Sequence, residues 1–339
     1  MLMTAIIAGN GALFADEVEH TTKAGVEFAY YVDDHRGQDS DGGWSWPNYV
    51  PKEVPDDFVP IGNDEGRVLG SGWGSLELQA YLQHSIKVPV MQGSGPLTKD
   101  NNITFSFKGS LAPVVAYVQA KTVLTPIAFL NFEAGYSIGT GWNGLGFNGI
   151  GLNNDGSGNP LEDSFAGAAM EAWVGGTFQF DFAALFPGEW NHVVTVANAK
   201  FQYINYTEAE MGDAWQWKAD AGENHNGYRF LGTYLIGYQM PLLVDTVGLM
   251  LETDQNLGDV KEMSPMDEGG WGSDFVKMRF GPLVNLGFND NHSLTILLQM
   301  KTARKYTDET VHYNYFKNRE YDSTYVKLER LALAYTYKF

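Results

Sequence analysis

The chain has 339 residues, no cysteine and a net charge of −19. The missing cysteine excludes disulfides, thiolate metal sites and cysteine nucleophiles, and the acidity argues against nucleic acid or anionic lipid as partners, since both select basic patches. Beyond the N-terminus no window of about 18 uncharged apolar residues exists, so no helical span is expected; a membrane β-barrel needs none, because its two faces alternate.

In chain order, Leu2–Ala15 is apolar and small, and Ala15 precedes the acidic Asp16-Glu17. That matches the h-region and cleavage site of a signal peptide, although no Lys or Arg precedes the run. Residues 1–15 are read as the signal and 16–339 as a single domain. Period-2 alternation then recurs. In 23–33, Ala24, Val26, Phe28, Tyr30 and Val32 alternate with Lys23, Glu27 and Tyr31. In 75–84, Leu76, Leu78, Ala80 and Leu82 alternate with Glu77, Gln79, Tyr81 and Gln83. Similar runs cover 102–108, 113–124, 126–139, 166–183, 192–206, 227–240, 242–254, 274–287, 291–305 and 323–339. These make twelve predicted strands, an even number, most of them at least as long as the 9–11 residues that a tilted strand needs to cross a bilayer.

The connections test this reading. After odd strands they are 34–74, 109–112, 140–165, 207–226, 255–273 and 306–322. After even strands they are 85–101, a Thr125-Pro126 turn, 184–191, Met240-Pro241 and 288–290. Long loops therefore follow odd strands and short turns follow even ones, apart from 109–112 and 85–101. That parity is expected of an all-β, antiparallel up-and-down transmembrane barrel with external loops and periplasmic turns. A soluble sandwich gives no reason for it. Eight tryptophans, Trp44, Trp46, Trp73, Trp142, Trp190, Trp215, Trp217 and Trp271, lie in connections or near strand ends, as interfacial girdles would; Trp173 falls mid-strand, toward the lumen.

The last segment reads YVKLERLALAYTYKF, with Tyr335, Tyr337 and Phe339 on one face. It resembles the closing strand of bacterial outer-membrane barrels, in which a terminal aromatic is read by the assembly machinery. The phrases TPIAFLNFEAGYSIGTGWNGLGFNGIGLN (125–153) and GYRFLGTYLIGYQMPLLVD (227–245) are similar to uncharacterised outer-membrane barrels of spirochaetes. The resemblance implies the outer membrane of a diderm bacterium as location, lipid and the assembly machinery as partners, and Tyr335, Tyr337 and Phe339 as the assembly signal. It carries no activity.

Charges on the lumen face offer chemistry. Arg229, Lys277, Arg279, Lys301 and Arg330 come from strands 8 and 10–12, and Glu27, Glu77, Glu133, Glu171 and Asp181 from strands 1, 2, 5 and 6. A basic arc would face an acidic one across a pore for small polar solutes. The alternatives are a plugged lumen with a surface-presentation or adhesion role, or a lipid hydrolase. Some twelve-stranded barrels are phospholipases with a His-x-Ser pair; Asn224-His225-Asn226-Gly227 resembles that segment but lacks the serine, and His292-Ser293 has the wrong spacing. No catalytic set, metal spacing or cofactor motif is found, so an enzyme is not expected. Residues 33–72 hold nine acids against Arg36, Lys52 and Arg67. Asp39-Ser40-Asp41-Gly42 and Asn153–Asn159 could offer oxygen ligands to calcium, but turn chemistry explains them equally.

Overall fold

The computed structural model describes residues 18–32, 75–144, 147–152, 164–218, 223–307 and 320–339. Among these, twelve long strands form: β1 (Glu19–Tyr31), β2 (Ser75–Pro89), β3 (Asn102–Ala112), β4 (Val115–Ile127), β5 (Leu130–Gly141), β6 (Ala169–Asp181), β7 (His192–Tyr206), β8 (Gly227–Gln239), β9 (Val244–Asn256), β10 (Lys277–Gly287), β11 (His292–Tyr306) and β12 (Tyr321–Lys338). Each pairs antiparallel with its sequence neighbours, and β12 returns to pair with β1 from Lys23↔Lys338 to Tyr31↔Arg330. The wall is a closed transmembrane barrel with no free edge, which matters because hydrocarbon cannot satisfy unpaired backbone groups.

The alternation sorts residues in the reverse of a water-soluble core. Leu82, Val118 and Leu249 are 57%, 59% and 61% exposed on the outside, while Thr177, Asn198 and Gln299 are 3%, 2% and 0% exposed within. Lipid must cover the outer face. Close approach inside the wall uses glycine. A Cβ at Gly25 would collide with the Tyr81 ring, and one at Gly135 with the Trp173 indole. Both large rings therefore lie flat against the neighbouring strand instead of projecting across the lumen.

All twelve expected strands are present, but several bounds move. β2 runs to Pro89, which leaves 90–101 as the connection to β3. The 109–112 loop is replaced by a tight turn at Pro113-Val114. The Thr125-Pro126 turn is corrected too: both residues lie in β4, at a register shift between Leu124 and Ile127, and the chain reverses at Ala128-Phe129. Proline is tolerated in a strand at such a bulge, where no ladder N–H is needed. The connections after even strands share one end of the barrel with both ends of the wall (the turn end). Those after odd strands stand at the other (the loop end), and all but the Pro113-Val114 turn are long.

Three described loop segments fold over the loop end. Ile150–Leu152 pairs with Trp215–Trp217 as a small two-stranded sheet. Ile150, Trp215 and Trp217 form a buried apolar cluster with Val114, Val115, Tyr117, Ala169, Ile204 and Tyr206, and Leu152 packs against it. The 257–276 loop carries a helical turn, Asp259–Glu262, and its Trp271 stacks on His225 of the 207–226 loop at 5.5 Å. The girdle expectation is therefore corrected for Trp215, Trp217 and Trp271, which are buried under folded loops. Trp190, half exposed at the turn end, sits where a girdle residue should. Trp44, Trp46 and Trp73 lie outside the described residues, as do 1–15, 33–72 and both calcium candidates.

Candidate functional site: the barrel interior

The inward charges meet partners around the wall. On the β8–β12 side, Arg229 donates through Nε to Asp254 at 3.0 Å and also pairs with it through Nη2. Arg279 Nε donates to Glu329 at 2.8 Å, and Lys301 approaches the same carboxylate at 3.8 Å. Arg330 is nearly fully buried. Its Nε donates to Gln299 Oε1 at 2.7 Å, its Nη1 donates to Tyr31 Oη at 3.2 Å, and its Nη2 lies 3.6 Å from Glu252. Tyr31 in turn donates to Glu77 at 2.7 Å. This chain of side chains runs from β9 past the β12/β1 seam to β2. Below it, Ala29, Tyr31, Met250, Leu283, Leu297 and Ala332 form an apolar cluster inside the barrel.

The β1–β7 side is built differently. Glu27 accepts from Gln79 Nε2 at 3.2 Å and lies 3.9 Å from Lys108. Glu133 is shared by Lys200 at 3.4 Å and Lys121 at 3.9 Å. Glu171 accepts from Gln202 at 3.1 Å. Lysine ammoniums also stand over the seated aromatics: Lys108 over Tyr81 at 4.1 Å and Lys200 over Trp173 at 5.2 Å. Asp181 is apart from these. At the turn end it caps the short helix Phe182–Ala184 and accepts from His192 Nδ1 at 2.6 Å.

Thus Arg229, Lys277, Arg279, Lys301 and Arg330 do lie on one side, and Glu27, Glu77, Glu133 and Glu171 on the other, but each side carries its own counter-charges. The field across the lumen is accordingly smaller than segregated arcs alone would produce. Asp254 and Glu329 complete the balance, and both were missed in the sequence. Asp254 follows Glu252 by two residues and shares its face. Glu329 breaks parity: Leu328 opposes Met300 and Arg330 opposes Gln299, so Glu329 is an inserted bulge residue and turns inward beside Arg330. The signal was the spacing of three from Leu328 to Leu331.

The loops add groups that no local pattern announces. Glu223 pairs with Lys277 at 3.1 Å and with Arg304. Burial alone would raise its carboxyl, but the Arg304 and Lys277 cations hold it well below the usual carboxylate range. Lys218 stands 3.8 Å over the Tyr117 ring, and its backbone N–H donates to Gly149 at 2.8 Å. The 207–226 loop is thus fixed near β10 and β11 by Glu223 and near β4 by Lys218.

The hydrolase-like segments have other surroundings. Asn226 clamps the 206–209 backbone by donating to Tyr206 O at 3.0 Å and Ala209 O at 2.8 Å, and His225 lies against Trp271. His292 packs on Tyr337 at 4.7 Å and bonds the Tyr335 hydroxyl on the outer wall at the turn end. Phe339 meets Tyr337 edge-on at 4.6 Å.

No family model and no curated protein matches the chain. Among solved structures it is similar to the KdgM porin, at 9% identity and TM-score 0.38, covering 94% of this chain and 99% of that one. It is similar to the CymD monoaromatic hydrocarbon channel at 7% identity and TM-score 0.40, covering 94% and 88%. The outer membrane channel DcaP of Acinetobacter baumannii gives 10% identity and TM-score 0.37, covering 95% and 97%. At such scores the assignment of the fold rests on this chain's own strand pairing.

Proposed function

We propose that the chain is an outer-membrane channel for small polar solutes with loops folded over its mouth. The observation that carries this is water-accessible charge inside a closed wall. The inward side chains of Arg279 and Lys121 keep 43% and 33% of their surface exposed, so space for water remains beside them. Polar and charged groups dominate the inner face, as in barrels that pass solutes. Arg229, Lys277, Arg279, Lys301 and Arg330 with Glu27, Glu77, Glu133 and Glu171 would line the passage, and Asp181 would stand at its exit. The chain would be exported by residues 1–15 and inserted by the assembly machinery through Tyr335, Tyr337 and Phe339. The loop end would face outside and the turn end the periplasm of a diderm cell, in line with the resemblance to spirochaete barrels.

The interior apolar cluster around Met250, Leu283 and Leu297 favours a second reading, a plugged barrel that presents its loops. A lipid hydrolase is the least supported, since His225 and His292 meet aromatic rings where a nucleophile would be needed. Single-channel recording in planar bilayers separates the first two. The expected result is small discrete steps in the native protein and larger ones in the Trp217→Ala/Lys218→Ala double variant, whose loop loses its hold on Tyr117. Silent bilayers for both proteins, with folded barrels verified by gel mobility, would leave the plugged reading.

A further inference from the structure

We infer that His20 and His84 form a surface site for a first-row divalent cation, Cu²⁺ before Zn²⁺. The β1–β2 register sets Thr22 opposite His84 and His20 opposite Ile86, so the two histidines are diagonal neighbours on one face. That face is the outer one, since it continues through Val26 and Leu82. His20 Nδ1 lies 3.2 Å from His84 Nε2. Two imidazole nitrogens bound at 2.0–2.1 Å to one tetrahedral ion stand about 3.3 Å apart. The pair is therefore spaced for a shared ion, which the two rings reach by turning until both lone pairs converge on it.

His84 Nδ1 lies 2.9 Å from Thr22 Oγ1, a contact that either atom can donate. In the tautomer whose Nδ1–H donates to that hydroxyl, the lone pair of His84 is on Nε2, toward His20. A second hydrogen bond of this kind orients metal-ligating histidines generally. Without an ion the rings share one N–H···N bond; when a divalent cation takes its place, the proton leaves His20 Nδ1 through water and returns at His20 Nε2, so that both ligands stay neutral imidazoles. Water or lipid phosphate oxygens would fill the remaining positions. Among the described residues no third His, Cys, Asp or Glu joins the pair, so the site takes ions that two imidazoles can hold, for which the affinity order favours copper.

The location gives the ion a mechanical consequence. Phe339 N–H donates to Thr22 O at 3.0 Å, in the last turn of the seam where β12 closes on β1. An ion on His20 and His84 ties β2 to that same end of β1. It should make the closed barrel harder to open from the turn end.

The test uses tag-free protein refolded in detergent, with one equivalent of Cu²⁺ and electron paramagnetic resonance. The wild type should show coupling to two nitrogens. His20→Ala or His84→Ala should lose it and weaken copper at least tenfold in a competition assay, whereas His192→Ala and His292→Ala should not. Thr22→Val should weaken binding by a smaller factor. Copper should also raise the temperature at which the wild-type folded band disappears on gels, reversibly with EDTA, and leave the His20→Ala/His84→Ala variant unmoved. If the alanine variants fold poorly, His84→Gln preserves size and a polar contact. Equal spectra and affinities in the wild type and the double variant, an adventitious ion elsewhere on the chain, overturn the site.

Discussion

On the β8–β12 side of the interior, arginines are locked into buried carboxylates, and an apolar cluster fills the space below them. On the β1–β7 side, lysines share carboxylates at longer range and stand over aromatic rings laid on glycine seats. Both sides neutralise their charge. The first does so through short, forked contacts on Glu329, which has no exposed side-chain surface, and on the buried Arg330, which makes it a candidate for the rigid half of the wall. The second keeps contacts of 3.4–3.9 Å, which makes it the softer half, while water reaches cations on both, Arg279 on the first and Lys121 on the second. Arg fits the first role because its fork reaches Gln299, Tyr31 and Glu252 together, while Lys offers a single mobile point charge.

The sharpest way to break this contrast is to neutralise one acid on each side. Glu329 has no exposed side-chain surface and two cations beside it. Glu329→Gln leaves Lys301 and Arg279 without their shared counter-ion, and removing one partner of a buried pair costs about 3–5 kcal/mol. Glu133→Gln acts on Lys121, which is a third exposed, and on Lys200. Its contacts are longer and Glu133 is not wholly buried, so a smaller loss of about 1–2 kcal/mol, between that of an exposed and a buried pair, is expected. Urea unfolding of the two variants in lipid vesicles measures both. Equal costs would remove the distinction between the halves.

A second prediction concerns the loop that bridges the two halves. The depressed Glu223 carboxyl means that its ionic form is favoured in the folded loop. Its contribution is complete above the ordinary glutamate value of about 4.3, and it is lost only as pH falls from there toward the lowered one. Conductance should therefore be unchanged between about pH 7 and pH 5, where carboxylates with ordinary values stay ionised. Glu223→Gln should enlarge the conductance at neutral pH, because Arg304 and Lys277 lose their hold on the loop. An opening transition of the native channel between pH 7 and 5 would assign gating to another group.

How much of this was legible in the sequence depends on the range of the interaction. The strands and the parity of most connections could be read, because a lipid-covered wall forces a period of two over many residues. Thr125-Pro126 misled, since proline marks turns and bulges alike, and only the β4–β5 register distinguishes them. Glu329 was hidden by carrying the alternation of Leu331 and Leu333 backward through a bulge. Glu223, Arg304 and Lys218 left no local signal at all. Their contacts join residues 81 and 101 positions apart, Glu223 to Arg304 and Tyr117 to Lys218, and nothing in the loop composition specifies where a loop will lie.

The smallest equilibrium effect is expected at the seam. Phe339 is 66% exposed and holds an edge-on contact with Tyr337, while its backbone N–H, which a substitution retains, donates to Thr22. Full burial of such a side chain would be worth about 1.5–3 kcal/mol, so Phe339→Ala should cost well under that in refolded protein. If the ring instead serves recognition, its loss should matter far more in cells than in detergent. Tyr337 and Tyr335, bracketed by His292 on the outer face, would be secondary anchors, and Lys338 should tolerate replacement. Heat-modifiable gel mobility of outer-membrane fractions, beside the same variants refolded from urea, separates the two effects. A Phe339→Ala barrel that inserts normally in cells leaves the residue as an ordinary interfacial aromatic, and the position of the chain in the membrane then rests on its inside-out wall alone.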